Sequence, residues 1–196
     1  MPPFIVPMLL GGVAAAPSIK WTNPATHFTF SGGDKVGTFD NNASPFHLIS
    51  TTSKTTGKWY AEVTATVSGG AFSVVVIGFS EPSYNSGSYL GVDSLGFGFY
   101  NGGGTITNNA FTGAETFATG DVIGIACDAT AGTMWWAKNN TWLTSGNPAT
   151  GANPRCTGTP GAARSVNMSF TGGTGTQTAT LAATLAYAAP SGFTPW

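Results

Sequence analysis

The stretch GDVIGIACDATAGTMWWAKNNTW, residues 120–142, decides how the rest of the chain is read. Gly120-Asp121 is a turn that opens a strand. Along Val122–Asp128, Ile123, Ile125 and Cys127 share one side, while Gly124 and Ala126 keep the other side small. An alternation of period two is the mark of a β-strand. Residues 128–132 then form a short loop, in which Asp128 accepts backbone hydrogen bonds and Gly132 is free to take positive φ. On the return strand, Thr133–Lys138, Met134 and Trp136 point one way, and Trp135 and Ala137 the other. Asn139-Asn140 suits a two-residue turn, since Asn tolerates left-handed backbone better than most residues. The two adjacent tryptophans must therefore face opposite sides of one sheet. Trp135 needs a cover of its own, either this chain or a neighbour.

Outward from this hairpin the same grammar repeats. Helical periodicity is nearly absent. Short runs rich in Val, Ile, Thr, Phe and Trp alternate with clusters of Gly, Asn, Ser and Pro, the pattern of an all-β sandwich or barrel. Further strands are expected over residues 27–31, 35–39, 46–51, 58–67, 72–79, 95–100, 105–108 and 165–170. Thr55-Thr56-Gly57, Ser68-Gly69-Gly70 and Asn101-Gly102-Gly103-Gly104 supply the glycines that tight reversals need. Residues 171–178, rich in Gly and Thr, read as a surface loop. Residues 179–189 are an Ala/Leu stretch without a cap, in which a helix is a minor option.

Composition narrows the function classes. The chain has 196 residues, 41% hydrophobic and 12% aromatic, enough to fill the core of one domain. Only 8% are charged, about a third of the usual share. The formal charge of −1, with seven Lys and Arg in all, provides no basic footprint for nucleic acid. Cys127 reads as a small core residue; two cysteines define no disulfide framework, and a Cys127–Cys156 bridge stays open. Neither cysteine is placed as a nucleophile, and His27 and His47 lie far upstream. Two His and two Cys without paired spacing argue against a metal site, and no cofactor is expected.

The segment MPPFIVPMLLGGVAAAPSIKW at the start imitates a secretory signal, with Ala14-Ala15-Ala16 as the cleavage site. Against this, no Lys or Arg precedes the apolar run, and Pro2, Pro3 and Pro7 interrupt it. It is also too short and broken to span a bilayer. The expectation is a retained arm, residues 1–25, that packs on a neighbouring subunit through Phe4, Ile5, Val6, Met8, Leu9 and Leu10. A single β domain then occupies residues 26–196.

Four landmarks in order make the chain resemble the SPRY family: GKWYAEVTATV at residues 57–67, VVVIGFSE at 74–81, TGDVIGIACDATAGTMWWAKNNTWL at 119–143, and PSGFTPW at 190–196. The resemblance runs roughly from residue 46 to residue 196, and the GDVIG…D…G…KN run is its specific part. It implies a bent antiparallel β-sandwich, a concanavalin-like jelly roll, whose loops bind proteins or other ligands without enzymatic activity. Ile123, Ile125, Cys127, Met134 and Trp136 match core positions of the family; Asp121, Asp128, Lys138 and Asn139 match turn-forming ones. Asn140 departs from the usual turn Gly, and the customary Asn-Phe-Gly is reduced to Val166-Asn167-Met168-Ser169-Phe170. The low charge, the Gly/Thr/Asn richness and the apolar arm resemble phage or prophage-encoded members. By this compositional analogy the chain is a virion component on an extracellular particle: a tail fibre, spike or head decoration protein, homo-oligomeric within its assembly and joined to other virion subunits through the arm.

Among residues able to carry chemistry, Glu62 falls within a strand and reads as hydrogen-bonded structure. Glu81, Asp93 and Glu115 fall in loops; a glycosidase would need two carboxylates across a cleft. No Ser sits in a Gly-x-Ser-x-Gly elbow, and Gly102-Gly103-Gly104 lacks the Lys and helix of a phosphate cradle. The aromatics are the stronger lead. Tyr84, Tyr89, Tyr100, Trp135 and Trp142 lie in or beside loops or on the second face of a strand, as ligand or interface candidates. Flanked by Asn and Ser, they would also suit a host-receptor or glycan-binding module.

Overall fold

The computed structural model describes residues 19–22, 28–39, 46–71 and 74–196. In chain order the strands are β1 (Trp21–Thr22), β2 (Phe28–Ser31), β3 (Val36–Phe39), β4 (Phe46–Ser50), β5 (Lys58–Ser68) and β6 (Val74–Ser80). They continue with β7 (Gly96–Tyr100), β8 (Thr105–Thr107), β9 (Ala110–Thr112), β10 (Val122–Asp128), β11 (Thr133–Lys138) and β12 (Thr141–Trp142). After a single 3-10 turn at Leu143–Ser145 come β13 (Cys156–Thr157), β14 (Ser165–Thr171), β15 (Thr176–Leu181) and β16 (Thr194–Pro195). Among the described residues no helix is long and apolar enough to cross a membrane.

Two sheets result. The first has the order β1-β4-β14-β6-β7-β8-β9; the second runs β12-β11-β10-β5-β15-β3-β2, with β13 on β11 and β16 on β5. All pairings are antiparallel except β16 with β5. The architecture is the expected all-β sandwich. Alternate residues of both sheets meet between them in one core that includes Phe39, Phe79, Phe99, Phe170 and Trp136. Trp136 is fully buried there, and its indole N–H donates to the carbonyl of Ile77 in the opposite sheet at 2.9 Å. A polar atom in the core thus finds a partner, as burial demands.

The deciding hairpin folds as its sequence indicates. Ile125 pairs with Trp136 and Cys127 with Met134 across β10 and β11. Ile123, Ile125, Cys127, Met134 and Trp136 all enter the central core, whereas Ala126 and Trp135 belong to a separate cluster on the outer face. At the turn, Asn139 and Asn140 both have positive φ, 47° and 67°, and Lys138 pairs with Thr141 directly across it. Two left-handed residues make the tight turn whose twist matches the strands. The Asn139 carboxamide accepts from the Val122 amide at 2.9 Å and donates to Asp121 at 2.7 Å. Asn139 is thus fixed by its own side chain, and Asn140 stands where Gly is customary because Asn tolerates the left-handed backbone the turn requires.

The structure departs from the sequence reading in three places. Residues 176–181, read as loop running into an Ala/Leu stretch, form β15, a strand inside the second sheet between β5 and β3. Gln177, Ala179 and Leu181 are buried in alternation with Thr178 and Thr180. Small and polar residues hid this period, because strand preference reflects packing context more than residue type. The short strands β1, β9, β12, β13 and β16 also escaped notice, being too brief to show a period. Trp21–Thr22 pairs with β4, and Ile19 is buried in the core, so the sandwich takes in residues that the sequence reading gave to the arm. Cys127 and Cys156 are both buried and free. The anchoring candidates Phe4, Ile5, Val6, Met8, Leu9 and Leu10 lie outside the described residues.

Candidate binding face on the first sheet

The five aromatic candidates divide between the two outer faces. On the second sheet, Trp135 and Tyr60 cluster with Phe193, and Trp142, Leu185 and Ala189 pack against them. Trp135 is 2% exposed; Phe193 meets it edge-on at 6.2 Å and its indole N–H donates to the Ala152 carbonyl at 2.9 Å. Its cover is therefore this chain. Glu62 holds that cover down. Its carboxylate accepts the backbone amides of Ala186 at 2.6 Å and Tyr187 at 3.0 Å, and the Tyr60 hydroxyl at 2.9 Å. Burial, with the neighbouring Glu62 charge second, pushes the Tyr60 phenol well above its ordinary range. Trp142 stays half-buried against Tyr60 at 6.2 Å.

The other three candidates come together on the first sheet. Ile49, Val76 and Ile106 project from its outer face, and Tyr84 and Leu90 from the loop 81–95 close over them, with Tyr89 and Tyr100 at the margin. The loop can lie flat because β7 reads GFGFY: a Cβ on Gly96 would sit 2.7 Å from Leu90, and one on Gly98 would strike Val76. Leu90 fills the hollow those glycines leave. Gly91, at φ 94°, brings the backbone so close to the Ile106 carbonyl that a Cβ would stand 2.6 Å from it. No L-residue fits that position without strain.

Polar side chains from the sheet pin the loop. Ser169 Oγ accepts the Leu90 amide at 2.9 Å. His47, 4% exposed, points Nε2 at the carbonyls of Ser88 (2.9 Å) and Ser86 (3.3 Å), and its Nδ1 lies 3.3 Å from the Asn167 carboxamide. Asn167 continues to Ser80 at 2.8 Å. Burial lowers the His47 pKa, although Asn167, the two carbonyls and Asp93 oppose the shift. The Tyr84 ring stands edge-on to His47 at 4.9 Å, and burial, then the Asp93 charge, pushes its phenol up to about 12. Tyr84 is thus a wall and a floor rather than an exposed platform. The anchors His47, Asn167 and Ser169 were missed as a group, since their strands lie about 120 residues apart in sequence and only the fold joins them.

Two clefts adjoin on this loop. One of about 290 Å³ is lined by Glu81, Ser83, Asn85, Ser86, Asp93 and Leu95; the other, about 310 Å³, lies between Thr22, Ile49, Pro82, Ser83 and Asn85. Tyr84 stands between them as a shared wall. The first cleft carries two carboxylates and suits donors or cations; the second is more apolar. Glu115, the third acidic candidate, is elsewhere, 3.7 Å from Arg155. Tyr100 sits at the far margin, edge-on to the half-exposed Phe111 at 5.8 Å.

Against known families, residues 58–153 match the SPRY domain model. None of the curated proteins compared matches the chain. Among solved structures, the SPRY domain of human HERC1 superposes with a TM-score of 0.59 at 14% identity, over 79% of this chain and 91% of that one. The PSpry domain of TRIM65 gives 0.60 at 15% identity, over 84% and 89%. At such identities the likeness establishes the fold, a SPRY-type jelly-roll sandwich.

Proposed function

We propose that the chain is a non-enzymatic, protein-binding domain of the SPRY type, and that it takes its partner on the loop 81–95 of the first sheet. SPRY domains commonly serve as interaction modules, and the observation that favours this face is its construction: two adjoining clefts held rigid from below by His47, Asn167 and Ser169. Pre-organisation of this kind lowers the entropic cost of binding. The partner segment would set amide or basic donors against Glu81 and Asp93 and an apolar group against Ile49 and Pro82. A photoreactive residue at Asn85 tests this against one at the exposed Thr130, in the β10–β11 turn of the second sheet. Capture from position 85 alone is expected; capture from neither, or equally from both, removes the reading.

The finer reading is a phage virion protein on an extracellular particle, joined to other subunits and to its own copies by the N-terminal arm. It rests on the low charge and the apolar start of the sequence. Its test is deletion of residues 1–18, which spares the core residue Ile19. Loss of particle incorporation is expected, and unchanged incorporation would sink it. Glycan or host-receptor binding by the loop aromatics is the second reading. It falls to Tyr89, Tyr100 and Trp142, which keep partial exposure, because Tyr84 and Trp135 are covered.

A further inference from the structure

The first sheet ends at β9, and the facing of its backbone groups follows from the strands before it. Tyr100 donates its amide to the Gly104 carbonyl at 2.9 Å, and Asn101 donates to the Val75 carbonyl at 3.0 Å. Successive residues of β7 therefore turn their backbone groups to opposite neighbours, with Gly98 and Tyr100 toward β8. Gly98 stands opposite Ile106, so the Ile106 groups turn back to β7 and leave the Ile106–Phe111 pair without hydrogen bonds. The turn agrees. Asn108 and Asn109 both have positive φ, 48° and 59°, which makes Thr107 and Ala110 the bonded pair of a two-residue hairpin. The N–H and C=O of Phe111 thus face away from the sheet, and among the described residues no backbone bond outside the strands takes them.

Phe111 is also 49% exposed, the most exposed large apolar side chain among the described residues, with the Tyr100 ring edge-on beside it. β9 reads Ala-Phe-Thr and has neither the charge nor the Pro that usually guards a bare edge. Its acidic neighbour Glu115 is already paired with Arg155. The edge is open, neutral and apolar, and suits an extended, uncharged strand that brings its own main-chain donors and acceptors. Its brevity leaves room for one exchange of hydrogen bonds at Phe111, so side-chain contact must supply much of the hold.

A segment of this kind lies outside the described residues. Phe4-Ile5-Val6 carries strand-forming side chains and no charge, and Pro7, lacking an N–H, ends the pairing after them. The chain from it enters the described body at Ile19, just before β1, which is the opposite edge of the same sheet. Those edges are six strand spacings apart, about 29 Å. The loop 81–95 covers part of the face between them, in the way of an arm crossing to its own β9. A neighbouring copy set beside β1 presents its β9 directly. The 13 residues from Val6 to Ile19 can span about 40 Å, enough to reach it.

We infer that residues 4–6 of one copy add as a strand to β9 of the next, with Ile5 opposite Phe111 and beside Tyr100. The inference rests on the reading that the arm joins copies of this chain, and it names where the arm lands. Because the donating and accepting edges differ, the contact is head to tail, closing into a ring or continuing as a row.

The test uses full chains bearing single added cysteines, since Cys127 and Cys156 are buried. An Ile5→Cys chain is mixed with a mass-tagged Phe111→Cys chain and oxidised, with Thr130→Cys replacing Phe111→Cys as control. A mixed disulfide with Phe111→Cys and not with Thr130→Cys is expected, because directly opposed strand residues lie within bridging distance. Bridges only between two Phe111→Cys chains would give β9 to a symmetric pairing of copies. An internal bridge in the Ile5→Cys/Phe111→Cys double variant, in place of the mixed one, would give it to the chain's own arm. Either result overturns the inference, as does the absence of any mixed bridge. Sedimentation then follows assembly mass against concentration. Removing residues 1–18 should abolish association, and Phe111→Asp should raise the concentration for half-assembly about tenfold or more. If the deletion abolishes association and Phe111→Asp leaves it unchanged, the arm joins copies elsewhere and the β9 site alone falls. Association undiminished by the deletion removes both.

Discussion

Trp136 concentrates the fold into one side chain, because its ring fills the inter-sheet core while its N–H ties the second sheet to Ile77 in the first. Trp136→Ala should cost about 3–5 kcal/mol from the cavity, with the lost hydrogen bond adding to it. Trp142→Ala, at a half-buried site, should cost clearly less; denaturant midpoints of the two variants make the comparison. The thiols give a second prediction. Burial pushes Cys127 up to about 12 and Cys156 up to about 11, from an ordinary value near 9. The folded protein holds these protons more tightly than the unfolded chain. Their contribution to stability is therefore complete below pH 9 and is lost as pH rises from 9 toward 12. Thiol reagents at pH 8 should label neither cysteine until denaturant is added; fast native labelling would contradict the burial.

At the scale of elements, buried polar groups hold the loop 81–95, through His47 and Ser169, and the cover over Trp135, through Glu62. His47 holds the first, and burial depresses its pKa. The unfolded chain accepts a proton near pH 6.5 that the folded loop resists, so this stabilisation is present above about 6.5 and fades as pH falls below it. Amide protection at Ser88 and Leu90, measured relative to the intrinsic exchange rate at each pH, should fall on acidification from pH 7 to 5, and His47→Gln should flatten that dependence. Glu62 holds the second element. Glu62→Gln replaces an acceptor of two backbone amides and should destabilise by about 1–3 kcal/mol, with faster exchange at Ala186 and Tyr187. These two elements also show what local sequence can and cannot convey. The hairpin of β10 and β11 was legible because its period, its turn residues and its pairing all lie within residues 120–142. The His47 and Glu62 anchors were not, since each acts on backbone amides or carbonyls between 39 and 125 residues away.

Across the whole molecule, the three buried clusters stack as outer loop, first sheet, core, second sheet and outer C-terminal cover. Removing residues 182–196 would uncover Trp135 and Tyr60 and take Trp196, 2% exposed, out of the core. Such a truncation should bind hydrophobic dyes and aggregate; a soluble, cooperatively melting product would show the cover to be dispensable. The sandwich class was legible from composition and alternation, whereas the site required the pairing order, which depends on strands far apart in the chain. That order has a consequence for how the protein is made. β14 lies between β4 and β6, and β15 lies between β5 and β3, so the middle of each sheet is filled by strands from the last part of the sequence. A nascent chain halted before residue 165 would hold each sheet as two separate pieces with bare edges and nothing to join them. Folding of the sandwich must wait until residues 165–181 have been made, and until then the ribosome-bound chain depends on chaperones, or on speed, to stay out of aggregates.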